Sequence, residues 1–536
     1  MIGQELTVEK LSISFEGKQV VHDLSFQIKP GTILAMVGES GSGKSVTARS
    51  LVGLAGDRAQ IAGQSLRLGD LDLLGLGEEG WIELRGKEIG FVLQDALTSL
   101  DPLRTIGQEI EEALTVHGQL RGWRHRRARR ERVLELLRNS AVSDPETRLQ
   151  ERANELSGGL RQRALMASAI ALNPGIIIVD EPTTALDAST VSHVLELFRD
   201  LRDAGHGILL ISHDIEAVSQ VADTIIVVKE GRLIEQGEAA QILKNPTQEY
   251  TRLLLSSIPG QQHKPQRPSV QQTEDDPPLL VVKDILKDYP KSQGSSRTAV
   301  DHVSFTLRRG ETLGILGESG SGKTTTARIV TGFLAPDAGN VWFDGKVWNG
   351  ICADTLRSVD ERERRPHRHE MGIVYQDPLS SFDPRWTVQR ILADALEANN
   401  IPQTEFPERI TALLALVRLT PDVSRRHPLQ LSGGQRQRIA IARAIAGKPK
   451  LIVCDEPVSA LDVSVQAQVL ELLKELQERL KISYLFISHD LGVIKEMSDN
   501  VIIMQNGKIV DHGETNHIFK NPSHEFTKSL LRSRVI

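Results

Sequence analysis

Residues 38–45 read Gly-Glu-Ser-Gly-Ser-Gly-Lys-Ser and residues 317–324 read Gly-Glu-Ser-Gly-Ser-Gly-Lys-Thr, so one eight-residue loop is written twice in this chain. Each copy follows a short apolar run, Ile33 to Val37 and Leu313 to Leu316, and leads into a helix-like stretch. Strand, glycine-rich loop and helix in that order form the context in which such a loop cradles phosphate. Gly38, Gly41 and Gly43, and Gly317, Gly320 and Gly322, let the backbone curl so that several N–H groups point inward at phosphate oxygens. The helix N-terminus adds positive potential there. Lys44 and Lys323 supply a cation for the terminal phosphates, and Ser45 and Thr324 a hydroxyl for Mg²⁺. One copy could be a chance match; two in the same context indicate a chain that binds nucleotide twice.

The rest of the chain repeats with the loop. Lys44 to Lys323 is 279 residues, Gln94 to Gln376 is 282, Gly158 to Gly433 and Asp180 to Asp455 are 275, and His213 to His489 is 276. A near-constant offset means one unit of about half the chain, duplicated and fused. The drift places seven more residues between Asp101 and Gly158 than between Asp383 and Gly433, over the basic run Arg121 to Arg132. Between the halves, a Pro- and Gln-rich stretch lacks apolar periodicity and reads as an extended linker. The expected domains are therefore 1–257 and 279–536, joined by residues 258–278. Alternating strand-like and helix-like runs imply an α/β fold with a largely parallel sheet.

At 536 residues the chain is too long for one ordinary core, which agrees with the duplication. No stretch approaches the roughly 18–20 continuous apolar residues of a membrane span. The N-terminus shows no secretory h-region, and Cys352 and Cys454 support neither a disulfide framework nor a zinc or iron–sulfur site. A cytoplasmic location is expected. The net charge of −6 argues against bulk nucleic-acid binding.

Two β-branched runs end in paired acids, Ile176-Ile-Ile-Val-Asp180-Glu181 and Leu451-Ile-Val-Cys-Asp455-Glu456. Such runs suit buried parallel strands, whose carboxyl ends are where ligands sit in open α/β sheets. Asp180 and Asp455 are then placed for the Mg²⁺ shell, and Glu181 and Glu456 to polarise a water attacking the γ-phosphate. A third pattern, Leu-Ser-Gly-Gly at 156–159 and 431–434, precedes a helical stretch in both halves. A fourth, Ile-Ser-His-Asp, carries His213 and His489 after apolar strands, positions that favour a catalytic switch over a packed histidine.

In this order the motifs resemble the ATP-binding cassette (ABC) ATPases over nearly the whole chain. The resemblance implies two ABC-type P-loop domains, each with a mostly parallel-sheet core lobe, a β subdomain and a helical signature subdomain. It implies a head-to-tail pair sandwiching two ATP molecules with Mg²⁺. One site would use Lys44, Ser45, Gln94, Asp180, Glu181 and His213, closed by Ser432 and Gly434. The other would use Lys323, Thr324, Gln376, Asp455, Glu456 and His489, closed by Ser157 and Gly159. Gln94 and Gln376 would also serve the metal. Ser40 and Val46, Ser319 and Thr325 complete the loops, Gln435 the second signature, Phe15 and Tyr289 would stack on adenine, and Asp187 and Asp462 would join the sites. Leu160 departs from the family at the position of Gln435.

The segments Gln94-Asp-Ala-Leu-Thr-Ser-Leu-Asp-Pro102 and Gln376-Asp-Pro-Leu-Ser-Ser-Phe-Asp-Pro384, with the Asn-Pro…Tyr/Phe-Thr…Leu-Leu endings, look like the oligopeptide, dipeptide and nickel importer branch. That implies a peripheral subunit on the cytoplasmic face of the inner membrane, powering uptake of peptides, nickel or a metal-chelator complex. Its partners would be two permeases and an extracytoplasmic binding protein. The rival readings are a soluble twin-cassette ATPase acting on ribosomes or DNA, and an exporter ATPase. The seven arginines of Arg121 to Arg132 read first as a solvated helix face, then as a contact for anionic lipid or RNA.

Overall fold

The computed structural model describes residues 3–93, 99–118, 120, 122–183, 188–256, 258, 277–290, 296–350, 358–459 and 461–532. Gln94, Arg121, Asp187, Cys352 and most of the predicted linker lie outside these residues. Backbone contacts divide the chain into two compact units, the first ending at Ile258.

Each unit is built on a six-stranded sheet with the same neighbour order. In the first, the order is Arg232–Glu238, Thr224–Lys229, Ile33–Val37, Gly207–Ile211, Ile176–Asp180 and Ile89–Val92. In the second it is Lys508–Glu514, Asn500–Gln505, Thr312–Gly317, Ser483–Ser488, Leu451–Asp455 and Met371–Val374. Every pair is parallel except the first of each order. All residues of Ile33–Val37, Ile176–Asp180 and Gly207–Ile211 are buried. That is the environment in which unbroken Ile, Leu and Val runs fold as central parallel strands.

Against this lies an antiparallel sheet, where Leu6–Phe15 pairs with Lys18–Ile28 in the first unit and Leu280–Pro290 with Ser296–Leu307 in the second. Phe15 ends its strand because Glu16 and Gly17 take φ of 49° and 82°, the two left-handed residues of a tight hairpin turn. The three longest helices of the remaining lobe are Ile106–Val116, Arg126–Asn139 and Gly158–Ala169, and in the second unit Val388–Ala398, Phe406–Leu416 and Gly433–Ile445. Superposing the buried trio Val133, Leu136 and Leu137 on Ile410, Leu413 and Leu414 puts five of the seven extra residues before the trio and two after it. The basic run therefore accounts for most of the added length, and the segment leading to the Leu-Ser-Gly-Gly helix for the rest.

A reciprocal clamp fixes the strand that enters each phosphate loop. Asp223 Oδ2 accepts the Ile33 N–H at 2.8 Å while its own N–H donates to the Ile33 carbonyl at 3.0 Å. Asp499 does the same for Thr312, at 2.9 Å in both directions. A second pair of acids anchors the Asn-Pro endings. Glu235, 7% exposed, accepts the Thr247 N–H at 2.7 Å, the Thr247 hydroxyl at 2.8 Å and the Gln248 N–H at 3.2 Å. Asp511 accepts the Ser523 N–H and hydroxyl and the His524 N–H.

Burial pushes the Glu235 carboxyl up, but the donors from Thr251, Thr247 and Gln248 prevail and hold it at about 2. Its folded pKa thus lies below the ordinary 4.5, so its stabilisation is complete above that pH and drains away as pH falls toward 2. Glu235→Gln is expected to cost the first unit roughly 1–3 kcal/mol at neutral pH. It should also flatten the loss of stability on acidification, read as the urea midpoint between pH 6 and pH 3. Parallel midpoint curves for the two proteins would contradict this account.

Candidate nucleotide sites

Because the three central strands run parallel and in register, their carboxyl ends lie level. Met36 pairs with Ile211 and Asp180 with Ile211 in the first unit; Leu316 pairs with Ser488 and Asp455 with Ile487 in the second. The phosphate loop, the Asp-Glu pair and the Ser-His-Asp turn are thereby delivered to one edge of each sheet.

Gly43, at φ 95°, opens the helix Lys44–Ser50, and Gly322, at φ 104°, opens Lys323–Val330. Any other residue at 322 would be strained, and its Cβ would stand 2.3 Å from the Ala299 carbonyl oxygen. Lys44 Nζ donates to the carbonyls of Gly38 and Glu39 at 2.7 and 2.8 Å, and Lys323 Nζ to those of Gly317 and Glu318 at the same distances. Each lysine thus closes its own loop around its charge. Ser40 and Gly41 lie within the first loop and Val46 on its helix; Ser319, Gly320 and Thr325 occupy the same places in the second. Gly43 packs against Val20 and Val21, on the hairpin whose other strand ends at Phe15. Tyr289 is 38% exposed at the end of the equivalent strand, and its cross-strand partner Arg297 donates to the Gly320 carbonyl.

Ser45 Oγ donates to Asp180 Oδ1 at 3.1 Å, and Thr324 Oγ1 to Asp455 Oδ1 at 3.4 Å. Asp180 is fully buried, and its other oxygen, Oδ2, has no hydrogen-bond partner among the described residues. Burial pushes the Asp180 carboxyl up, against the bond from Ser45. For Asp455, burial and then the charge of Glu456 raise it to about 6. A buried carboxylate oxygen left unpaired is unfavourable unless a charge compensates it. A carboxylate beside a hydroxyl is a donor set that suits a hard divalent cation, so these residues fit Mg²⁺.

Glu181 and Glu456 hold left-handed backbone, at φ 55° and 49°, with their N–H groups bonded to Ile211 and Ile487 at 2.9 Å. Non-glycine residues in this region are strained and persist where the surroundings over-determine them. Each glutamate is paired with a histidine: Glu181 with His213 Nδ1, and Glu456 with His489 Nδ1 at 3.1 Å. Burial alone would lower His213, but the Glu181 carboxylate outweighs it and holds the imidazole above its ordinary range. Burial would raise Glu456, and the bond from His489 outweighs that, holding the carboxyl below the usual range. Gln376 Nε2 donates to Glu456 Oε2 at 2.9 Å. Gln376, Glu456 and His489 therefore form one hydrogen-bonded cluster.

The serine and aspartate around each histidine are structural. Ser212 Oγ accepts the Asp214 N–H and Asp214 caps the next helix through Ala217; Ser488 and Asp490 repeat the arrangement. Asp462 also caps a helix, accepting the Val465 N–H. Ser157 and Ser432 are the N-caps of the helices Gly158–Ala169 and Gly433–Ile445. Among the described residues no hydrogen bond joins either serine to the phosphate loop of its own unit. Gln435 accepts the Ser432 N–H with its amide oxygen at 3.1 Å, completing a capping box. Leu160 has no group to do so, and that cap is single. The clamps Asp223 and Asp499 and the anchors Glu235 and Asp511 were not foreseen; each recurs at a matching offset, which was the only signal available.

Residues 21–184 and 300–459 match the ABC transporter family, and residues 234–280 match the oligopeptide/dipeptide transporter C-terminal region. Over 608 residues the chain is 36% identical to the oligopeptide transport ATP-binding protein OppD of Mycobacterium bovis, covering 98% of this chain and 97% of that one. It is 39% identical over 540 residues to the peptidoglycan transport ATP-binding protein YejF of Agrobacterium fabrum, covering 98% and 95%. It is 36% identical over 570 residues to the glutathione import ATP-binding protein GsiA of Shigella flexneri, covering 99% and 89%. With the repeated site geometry, these similarities mean that the chain belongs to the ABC transporter family and is an ATPase carrying two of the family's ATP-binding domains.

Proposed function

We propose that the chain is the motor subunit of an importer, hydrolysing ATP to drive uptake of peptides or peptide-like cargo through two partner permeases fed by an extracytoplasmic binding protein. The observation that carries the reading is the full set of lysine, aspartate, glutamate and histidine on one sheet edge of both units. The relatives named for oligopeptide, peptidoglycan and glutathione transport support the cargo class over nickel or a metal-chelator complex. The chain has no described helix long and apolar enough to cross a membrane, so membrane association is proposed to be peripheral, at the cytoplasmic face of the inner membrane.

In each site the loop amides, with Lys44 or Lys323, bind the phosphates and draw negative charge off the transferring group. Glu181 and Glu456 accept a proton from the attacking water, and His213 and His489 orient those carboxylates. Ser45 with Asp180, and Thr324 with Asp455, would hold Mg²⁺, which when bound neutralises charge on the phosphate oxygens. Gln94, Ser157, Gly159, Ser432 and Gly434 are proposed as further nucleotide contacts, and Phe15 and Tyr289 as adenine platforms.

Purification of the tagged chain from its native cells in mild detergent should recover two multi-span membrane proteins. Recovery with ribosomes or DNA-repair proteins alone would overturn the importer reading. Glu181→Gln and Glu456→Gln are each expected to lower ATP turnover at least tenfold at their own site, measured as phosphate release. Full activity in Glu456→Gln would make the second site non-hydrolytic. Asp180→Asn removes a carboxylate that the fold holds unfavourably charged at neutral pH, because its folded pKa lies above the unfolded one. The nucleotide-free variant should therefore melt higher, by a few degrees. It should also lose the extra stabilisation that MgATP gives over ATP with EDTA. A lower melting temperature would contradict the electrostatic account.

A further inference from the structure

The helix that Ser432 caps carries three half-buried arginines, Arg436, Arg438 and Arg443, and only the last has no arginine at the matching position of the first unit. Arg438 donates to the Arg418 carbonyl and Gln468, and Arg163 of the first unit likewise donates to the Ala141 carbonyl and Thr190. Arg443 is different. Its Nη1 donates to the Ser381 carbonyl at 2.8 Å and its Nη2 to Ser381 Oγ at 2.9 Å, while its guanidinium lies 4.9 Å from the centre of the Phe382 ring. No carboxylate is within ion-pair distance of it among the described residues, and burial holds it below the usual arginine range. At the equivalent position the first unit has Ser168.

A half-buried cation whose hydrogen bonds go to neutral acceptors, with the Asp394 charge too weak to offset its burial, is a poor source of stability, so what it grips becomes informative. Ser381 and Phe382 end the segment that begins at Gln376. Asp377 braces that segment from within, accepting the N–H groups of Leu379 and Ser380 at 2.9 and 3.1 Å across the turn Leu379–Ser381. One end of a stiff turn is thus hydrogen-bonded to Glu456 through Gln376, and the other is held by Arg443. The helix Gly433–Ile445 then runs from Arg443 back to Ser432, about 16 Å away at the α-helical rise per residue.

We propose that Arg443 is a positioning residue that locks the Gln376 segment to the Ser432 helix in the second unit, so that the state of Glu456 and Gln376 is transmitted to the signature serine as one rigid movement. The inference rests on the nucleotide-site reading above. Its coupling runs through contiguous hydrogen bonds rather than through distance alone. In the first unit Ser168 is too short to make the same two-pronged grip.

The test is a double-mutant cycle on the full chain with Arg443→Ser, Gln376→Ala and the double variant, measuring kcat for ATP and the Kd of a fluorescent ATP analogue. The expected result is that Arg443→Ser lowers kcat at least threefold with Kd within twofold, and that the double variant is no slower than Gln376→Ala. An unchanged kcat in Arg443→Ser overturns the proposal. So does a double variant slower than Gln376→Ala by the factor that Arg443→Ser shows alone, because Arg443 would then act independently of Gln376. Should Arg443→Ser fail to fold, Arg443→Lys takes its place, keeping the charge but not the paired donors, with the same two readings. Absence of ATPase activity in the unsubstituted chain would instead refute the underlying site assignment.

Discussion

Everything in each unit depends on keeping three parallel strand ends level, because the chemistry is distributed over segments far apart in sequence. Lys44 and Asp180 stand 136 residues apart, yet Ser45 and Asp180 share a hydrogen bond. The strand bearing the phosphate loop is tied by side chain and backbone to Asp223, and in the second unit to Asp499. A one-residue slip of that strand would turn its buried residues to the opposite face and move the loop away from the carboxylates. Register here is a functional parameter as well as a packing one.

That alignment has an electrostatic consequence. Bringing Asp180 and Asp455 to the ends of buried strands raises both carboxyls, and the adjoining glutamates take strained backbone to reach their histidines. The folded chain therefore holds unfavourable charge and strain at this edge of each sheet, where the proposed phosphate and divalent cation would relieve it. On that proposal, nucleotide binding and local stability are linked by the same oxygens, as expected for sites in which preorganisation is set by the fold rather than by the ligand.

The motifs were legible because they are contiguous: a glycine loop after an apolar run, an acid pair closing a β-branched strand, a serine before two glycines at a helix start. Their strand and helix contexts, and the α/β class, follow from the same local patterns. What holds the motifs was not legible, since Asp223 reaches Ile33 across 190 residues and Arg443 reaches Ser381 across 62. No periodicity records such contacts. Asp462 and Gln435 stood out by position, and the structure adds that both complete helix caps, which the local pattern did not show. The extra length before the first signature helix was traced to the basic run, and two of its seven residues lie beyond it.

Comparing the units shows where a duplicated machine has drifted. The lysine, the acid pair and the histidine are identical in the two halves, and the differences gather in the groups that support them. Leu160 replaces the glutamine that closes a capping box, Ser168 the arginine that grips the turn after Gln376, and Tyr250 faces the phosphate loop where the second unit has Phe526. Tyr250 accepts the Glu39 N–H through its hydroxyl and lies under Lys229, contacts a phenylalanine hydroxyl-free ring cannot fully reproduce. Substitutions of this kind leave the reacting groups in place while changing how firmly each is held and to what it is joined. Two sites with the same chemistry can in this way come to differ in timing, and the asymmetry resides in the supports.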